Sequence, residues 1–494
     1  MSRLSSVLRP SSRPVLGAVV ATVLALAATV STPPSTAAAA DTTKPVVSAV
    51  AVTPTQDRAT VTWRTDEVAT GQAVWGATTA YGRVSGTATS LTLGHTQTLS
   101  GLSAGTTYHL QVRSSDAAGN TGVSADTTFT TAPVGSFAPG NPSGTVAVPS
   151  GMGPEDVSHP DRVVGTGTAA SCTSAAVLAA ASAGGVVTFS CGATPVTITL
   201  SQTIKVRNST ARLVLDGAGK VTLSGGGNRR ILYTDTCDSS LGSVSGNCLY
   251  APQGPRVTVQ NLTFADGNAT NATYVSPGDS GQGSNGGGAI FQLGGRLKVV
   301  RSVFVRNTCA TNGPDLGGGA IRVLAQHSAT PDALDGSYAA RGQDPVAVVQ
   351  STFGGTSGQG NRCSNGGAIS GLRTPVTVVN SLLTDNVATG CCANPAHSGT
   401  PGGGSGGAVY TDGTSYDLRI SGSRLERNSA KAGGSSIFYV SNDLTGHLAV
   451  QSSVSRNNTY AASGYSPSDQ HFETYPGIFY RGSGDPSFTG STIQ

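Results

Sequence analysis

Asp385 and Glu426 stand just beyond the eighth residue of two successive copies of one short pattern, Val376–Leu383 and Leu418–Leu425. Carboxylates brought together from neighbouring strands can divide acid and base work. One protonates a leaving oxygen while the other activates water. Arg306 and Arg427 fall close to the same register and supply cations there. A second group, Tyr410, Asp412 and Tyr416, joins aromatic faces to a carboxylate, a pairing suited to a sugar ring. Turn duty at Asp412-Gly413 explains that aspartate equally well.

These residues need a scaffold, and the repeats describe it. VTVQNLTF begins at Val257, LKVVRSVF at Leu297, VAVVQSTF at Val346, VTVVNSLL at Val376, LRISGSRL at Leu418 and LAVQSSV at Leu448. The spacings are 40, 49, 30, 42 and 30 residues, so the basic coil is 30 residues long and others carry inserts. Closures of GGAI type follow at Gly287–Ile290, Gly318–Ile321, Gly366–Ile369 and Gly406–Val409, with a looser one at Gly433–Ile437. Period-two alternation buries one face of each strand. A repeat of this kind closes a core only by stacking on its neighbours. Stacking in register predicts an inward ladder of Phe264, Phe304, Phe353, Leu383 and Leu425. It predicts a corner of Ser302, Ser351, Ser381, Ser423 and Ser453, whose hydroxyls bond backbone. A turn carries Asn307, Asn386 and Asn428, with Asn268 one residue late and Asn457 one early. Asn tolerates left-handed backbone, and the structural role outweighs a functional one.

In the same register Asp266, Arg306, Asp385, Glu426, Arg427 and Arg456 form an outward stripe of mixed sign. A solvated ladder of weak ion pairs is the plainer reading and outweighs catalysis. Inserts at 268–285, 310–316 and 389–404 leave after the Asn turn. The insert at 323–343 leaves after a closure, so His327 and His397 sit on different edges and do not pair.

Residues 1–40 have the pattern of an export signal: Arg3, Arg9 and Arg13, an apolar run from Val15 to Val30, and Ala38-Ala39-Ala40 before Asp41. A secreted, extracellular protein without membrane insertion is expected. The net charge is +4, and removing those three arginines leaves +1, which is no footprint for nucleic acid. Eight cysteines in an exported chain read as disulfides. Cys172 and Cys191 flank a short Ala-rich helix capped by Thr173 or Ser174. Cys237 and Cys248 bracket one loop. Cys309, Cys363, Cys391 and Cys392 allow three pairings, which stay open. No CxxC or His pair accompanies them, so no metal site is expected. The aromatic tail, with Tyr460, Tyr465, Phe472, Tyr475, Phe479 and Tyr480, is expected to cover the last coil.

Residues 44–133 alternate as short strands between turn clusters, with Trp63 central and GLSAGTTYHLQV carrying Leu102 and Tyr108. This segment resembles a fibronectin type III domain, in which Trp63 and Tyr108 serve as core aromatics. Trp75 is read as a second core aromatic. Residues 134–170, rich in Pro, Gly and Ser, read as a linker. Residues 171–494 form the repeat domain with its helical and aromatic caps.

The LxVxxSxFxxN and GGAI repeats resemble the right-handed parallel β-helix of the pectin-lyase-like superfamily, in particular the passenger repeats of polymorphic outer-membrane proteins. The strict FxxN occurs only at Phe304–Asn307. That outer-membrane family ends in a translocating barrel, which this sequence lacks. The expected fold is therefore all-β, a fibronectin type III sandwich followed by a right-handed parallel β-helix. The resemblance also implies polysaccharide chemistry: lyases with a calcium-holding carboxylate cluster and an Arg or Lys base, or hydrolases with an aspartate trio. Neither motif set is intact. The reading is thus a monomeric extracellular protein that binds polysaccharide or a cell-surface glycan, with no cofactor. The alternative is a polysaccharide lyase or glycosidase, with calcium if a lyase.

Overall fold

A computed structural model describes residues 40–54, 58–100, 102, 106–131, 138–244, 248, 254–271, 286–314, 316–324, 346–392, 402–460 and 473–494. Most of the leader, both loop histidines, Tyr465 and Phe472 lie outside the described residues. The chain divides into two compact units near residue 131. No helix among the described residues is long and apolar enough to cross a membrane.

The first unit is antiparallel β structure. Its long strand, Arg58–Gly76, pairs with Val47–Pro54 and Ala88–Ser100 over its first part and with Thr107–Ser115 over its last. Alternation buries Ala59, Val61 and Trp63. The Trp63 indole donates to Ser114 Oγ at 2.9 Å and stacks on His95. Tyr108 stacks on Phe129, and Trp75 is buried. All three predicted aromatics are core residues here.

The second unit is a parallel β-helix. Helix Ser174–Ala183 opens it, capped by the Thr173 hydroxyl and ended by Gly184 at φ 70°. Val177 and Ala181 of this helix join the core that runs through the stack. Each complete coil then gives strands to three long faces, and the coils from Val346 onward add two-residue strands, Arg362–Cys363, Val387–Ala388, Ser429–Ala430 and Thr459–Tyr460, to a short fourth ladder. The first face stacks Arg296–Val300, Val346–Val349, Val376–Val379, Leu418–Ser421 and Leu448–Gln451. The second stacks Val303–Val305, Thr352–Phe353, Leu382–Thr384, Arg424–Glu426 and Val454–Arg456. Strand Arg256–Ala265 spans both faces. The third runs from Ile204–Lys205 through Ile290–Leu293 and Ile369–Leu372 to Ile478–Arg481. Phe264, Phe304, Phe353, Leu383 and Leu425 pair in the predicted register. The three Phe rings stack with successive centroids 4.9 and 4.7 Å apart. Phe479 and Tyr480 of the tail continue the third face as one more rung.

Two corners turn through left-handed backbone in coil after coil. The first holds Asn261, Arg301, Gln350, Asn380, Gly422 and Ser452; the second holds Asp266, Arg306, Asp385, Arg427 and Asn457. Left-handed backbone costs about 1–2 kcal/mol for an ordinary L-residue, and buried ladders inside each corner offset it. At the first corner the backbone N–H of each serine from Ser302 to Ser423 donates to the next serine's Oγ. At the second corner, Asn307, Asn361, Asn386, Asn428 and Asn458 bond in series. Three members differ from the sequence expectation. Gly267 holds the first rung, its N–H donating to Asn307 Oδ1, and Asn268 lies one residue on, bridging Thr308. Asn361 joins after a seven-residue detour that starts at Gly354. Asn458 takes the rung because Asn457 is the left-handed residue before it.

Residues 138–161, composed like a linker, instead lie across the first face. Asn380 holds Val146 by both backbone groups: Val146 N–H donates to Oδ1 at 3.1 Å, and Nδ2 donates to Val146 O at 2.7 Å. Gln260 grips Glu155 in the same way, at 2.8 and 3.1 Å. Val146, Val148 and Met152 pack on Val300, Val349 and Val379. Those valines sit at positions that alternation points outward, and this strap is why they are buried.

Asn386 shows what the corner ladder is worth. Its Nδ2 donates to Phe353 O and Asn428 Oδ1, while its Oδ1 receives Asn361 N–H. Asn386→Ala strands several buried groups, so a loss on the order of 3 kcal/mol is expected in urea unfolding. A loss within experimental error would show that the ladder carries little stability.

Candidate functional site

The outward stripe begins at the second corner. Asp266 receives both Nε and Nη2 of Arg306, at 2.7 and 2.8 Å. Asp385 receives the same fork from Arg427, at 3.1 and 2.8 Å. Glu426 lies on the second face and receives Arg424 at 2.7 Å and Arg456 at 2.9 Å. The strands explain the grouping: Glu426 pairs in register with Thr384 and Arg456, so it stands beside Asp385 without sharing its rung. Each carboxylate is thus answered by guanidinium.

This arrangement bears on acid and base chemistry. Burial acts to raise the Glu426 pKa, but hydrogen bonds from Arg424 and Arg456 outweigh it and hold the group below its ordinary value. Glu426 therefore carries no proton to deliver near neutral pH. The side chains differ in exposure: 5% for Glu426 and 15% for Asp385, against 48% for Arg427 and 46% for Arg456. Around Asp385 and Glu426 the stripe shows solvent its guanidiniums and keeps its carboxylates beneath, whereas at its start Asp266 is more exposed than Arg306. A calcium ion needs six to eight oxygens around it. These carboxylates are already committed to cations, so the donor set does not fit the ion that the sequence resemblance implied for a lyase.

The aromatic candidates lie elsewhere. Tyr410 is fully buried, stacks on Phe438 and donates to Asp412 Oδ2. Asp412 also receives Asn442 Nδ2. Tyr416 points into the core and donates to Val440 O at 2.6 Å. Neither ring is open to a sugar in this form.

All four disulfides form: Cys172–Cys191, Cys237–Cys248, Cys309–Cys363 and Cys391–Cys392. Stacking of coils selects the third, since Thr308 bridges Arg362 and sets the neighbouring cysteines together. Among the described residues, Asp41, Glu67 and Asp116 of the first unit form one compact carboxylate group. Asp116 is already bonded to Asn120.

A buried cluster on the third face had no counterpart in the sequence reading. The Tyr233 hydroxyl lies 3.1 Å from Asp235 Oδ2 and 3.2 Å from Asp238 Oδ2. Arg230 stacks on Tyr233 and Phe291 and donates to the carbonyls of Gly286 and Gly287. Burial, aided by the charge of Asp238, pushes Asp235 up to about 6 against the opposing bonds from Cys237 N–H and Tyr233. Alternation directs Tyr233 and Asp235 outward, so period two alone marks them as solvated. The available signal was the packing of Tyr, Asp, Cys and Asp into YTDTCD.

No protein-family model and no curated protein matches the chain. Solved structures give faint likenesses. A pectate lyase from Erwinia chrysanthemi is 11% identical, covering 91% of this chain and 99% of its own, with a TM-score of 0.20. A pectate lyase from Pectobacterium carotovorum is 10% identical over 90% and 99%, with a TM-score of 0.16. A family 28 exopolygalacturonase from Yersinia enterocolitica is 10% identical over 85% and 97%, with a TM-score of 0.18. TM-scores this low carry no argument, and the β-helix rests on its own strand register.

Asp235 makes the stability depend on pH with a definite sign. Its folded pKa lies above the ordinary 3.8, so the folded state keeps a proton that the unfolded chain releases. This group's stabilising contribution is complete below about pH 4 and falls as pH rises to about 6. Asp235→Asn mimics the protonated form. It should raise stability at pH 7 by on the order of 3 kcal/mol while changing little at pH 4. Equal effects at both pH values, read by urea titration, would contradict the assignment.

Proposed function

We propose that this is a secreted, non-catalytic β-helix protein that binds polysaccharide or a cell-surface glycan along its second corner. The observation that carries this reading is the layered stripe, with guanidiniums of Arg424, Arg427 and Arg456 outside and Glu426 and Asp385 beneath. Planar guanidiniums held by fixed carboxylates offer preorganised donors to hydroxyl or acid oxygens. The antiparallel unit at 44–133, read as a fibronectin type III domain, is assigned as an accessory spacer. Four disulfides and the leader pattern of residues 1–40 support export.

The test is calorimetric titration with neutral and acidic oligosaccharides, combined with an activity screen with and without calcium. Arg427→Gln with Arg456→Gln should weaken binding about ten-fold, the value of a lost charge-assisted bond. Release of unsaturated or reducing ends, abolished by Asp385→Ala or Glu426→Ala, would instead establish the lyase or hydrolase alternative.

A further inference from the structure

Arginines on the second corner and face are matched with carboxylates. Those at the start of the stack are not. Arg212 and Arg256 are register partners on adjacent parallel strands. Adjacent strands lie about 4.8 Å apart, so two like charges stand side by side, which is unfavourable unless something neutralises them. Both are exposed, and so is Arg207. Among the described residues, no side chain bonds any of these three guanidiniums.

Arg207 and Arg212 line a surface depression of about 470 Å³, with Gly184, Gly185, Ser209 and Thr210 completing much of its wall. That volume is within the usual range for small-ligand sites, about 300–1,000 Å³. The wall is held open by its glycines. Gly184 and Gly185 take φ 70° and 80°, and a Cβ on Gly184 would meet Thr210 Cγ2 at 2.6 Å. The carboxylate at the rim, Asp161, is committed to Val186 N–H at 2.6 Å. Arg162 is likewise engaged, donating to Gly184 O at 2.5 Å.

We infer that this depression is an oxyanion site for a saccharide bearing a sulfate or phosphate ester. Arg207 and Arg212, which line the depression, would take two oxygens of one tetrahedral anion beside the hydroxyls of Ser209 and Thr210, with Arg256 on the neighbouring strand adding positive charge next to Arg212. Guanidinium forks match such anions closely. A tetrahedral ester presents three oxygens in different directions, so separate guanidiniums need not share an oxygen as they do at the Glu426 carboxylate. The saccharide carrier rests on the extracellular glycan reading above; the anion site does not.

Thermal unfolding of the full secreted chain in sodium sulfate against sodium chloride at equal ionic strength tests the anion site alone. Sulfate also stabilises proteins generally, so the quantity read is the sulfate-specific rise lost in Arg212→Gln/Arg256→Gln and in Arg207→Gln, with Arg481→Gln as control. Loss in both site variants and retention in the control is expected. An equal rise in all four proteins overturns the site. In sulfate-free, low-salt buffer Arg256→Gln should unfold at a higher temperature than the parent chain, because the middle of three stacked arginines, Arg212, Arg256 and Arg296, is gone; a lower value contradicts the repulsion. Sulfated, phosphorylated and uronic-acid oligosaccharides then identify the carrier. Binding of either ester about ten-fold weaker in the double variant supports the saccharide assignment and names the ester. Equal uronate binding, or no saccharide binding beside a clear sulfate rise, overturns that assignment and leaves glycan binding at the second corner to its own test.

Discussion

Everything in the repeat unit depends on like residues lying over like residues, and the buried asparagine series is where that constraint is tightest. Each amide bonds the next amide and also a carbonyl of the coil before it, as Asn386 does with Asn428 and Phe353. A slip of one residue would break both bonds and turn every neighbouring side chain to the wrong face. The series also accounts for the left-handed residues beside it. Arg306, Asp385 and Arg427 adopt strained backbone because the asparagine that follows each of them, or lies one rung away, locks the turn.

The outward charges follow from the same geometry. A left-handed corner throws its side chain clear of the sheet, so one charged residue stands on each of several coils. Neighbouring rungs then place Asp266 beside Arg306 and Asp385 beside Arg427, and forks form between coils. Exposed pairs of this kind contribute little stability singly. Their effect is to fix where guanidiniums stand. At the start of the stack the same register sets Arg212 on Arg256 with no acid between them, and the electrostatics reverse.

Much of this was legible in the chain. Phe264, Phe304 and Phe353, the serine corner and the Gly-Gly-Ala closures announce the winding because period two and strict stacking constrain them independently. Asn361 escaped because the detour after Phe353 hides its phase, and Asn458 because an identical residue precedes it. The strap and the Tyr233–Asp235–Asp238 cluster were illegible for a common reason. Alternation tells which side of a strand a residue occupies, but not what covers that side. The outward valines Val300, Val349 and Val379 were the available hint, since three apolar side chains in line require a cover.

The strap is held chiefly through its peptide groups: Asn380 and Gln260 grip backbone atoms of Val146 and Glu155. Substitution along it is therefore tolerated at many positions, whereas insertion or deletion between residues 146 and 155 shifts one grip relative to the other. The same holds for the stack underneath. Gaining or losing a whole coil between Gln260 and Asn380 would move the two grips apart or together, so evolutionary change in coil number has to be matched by change in strap length.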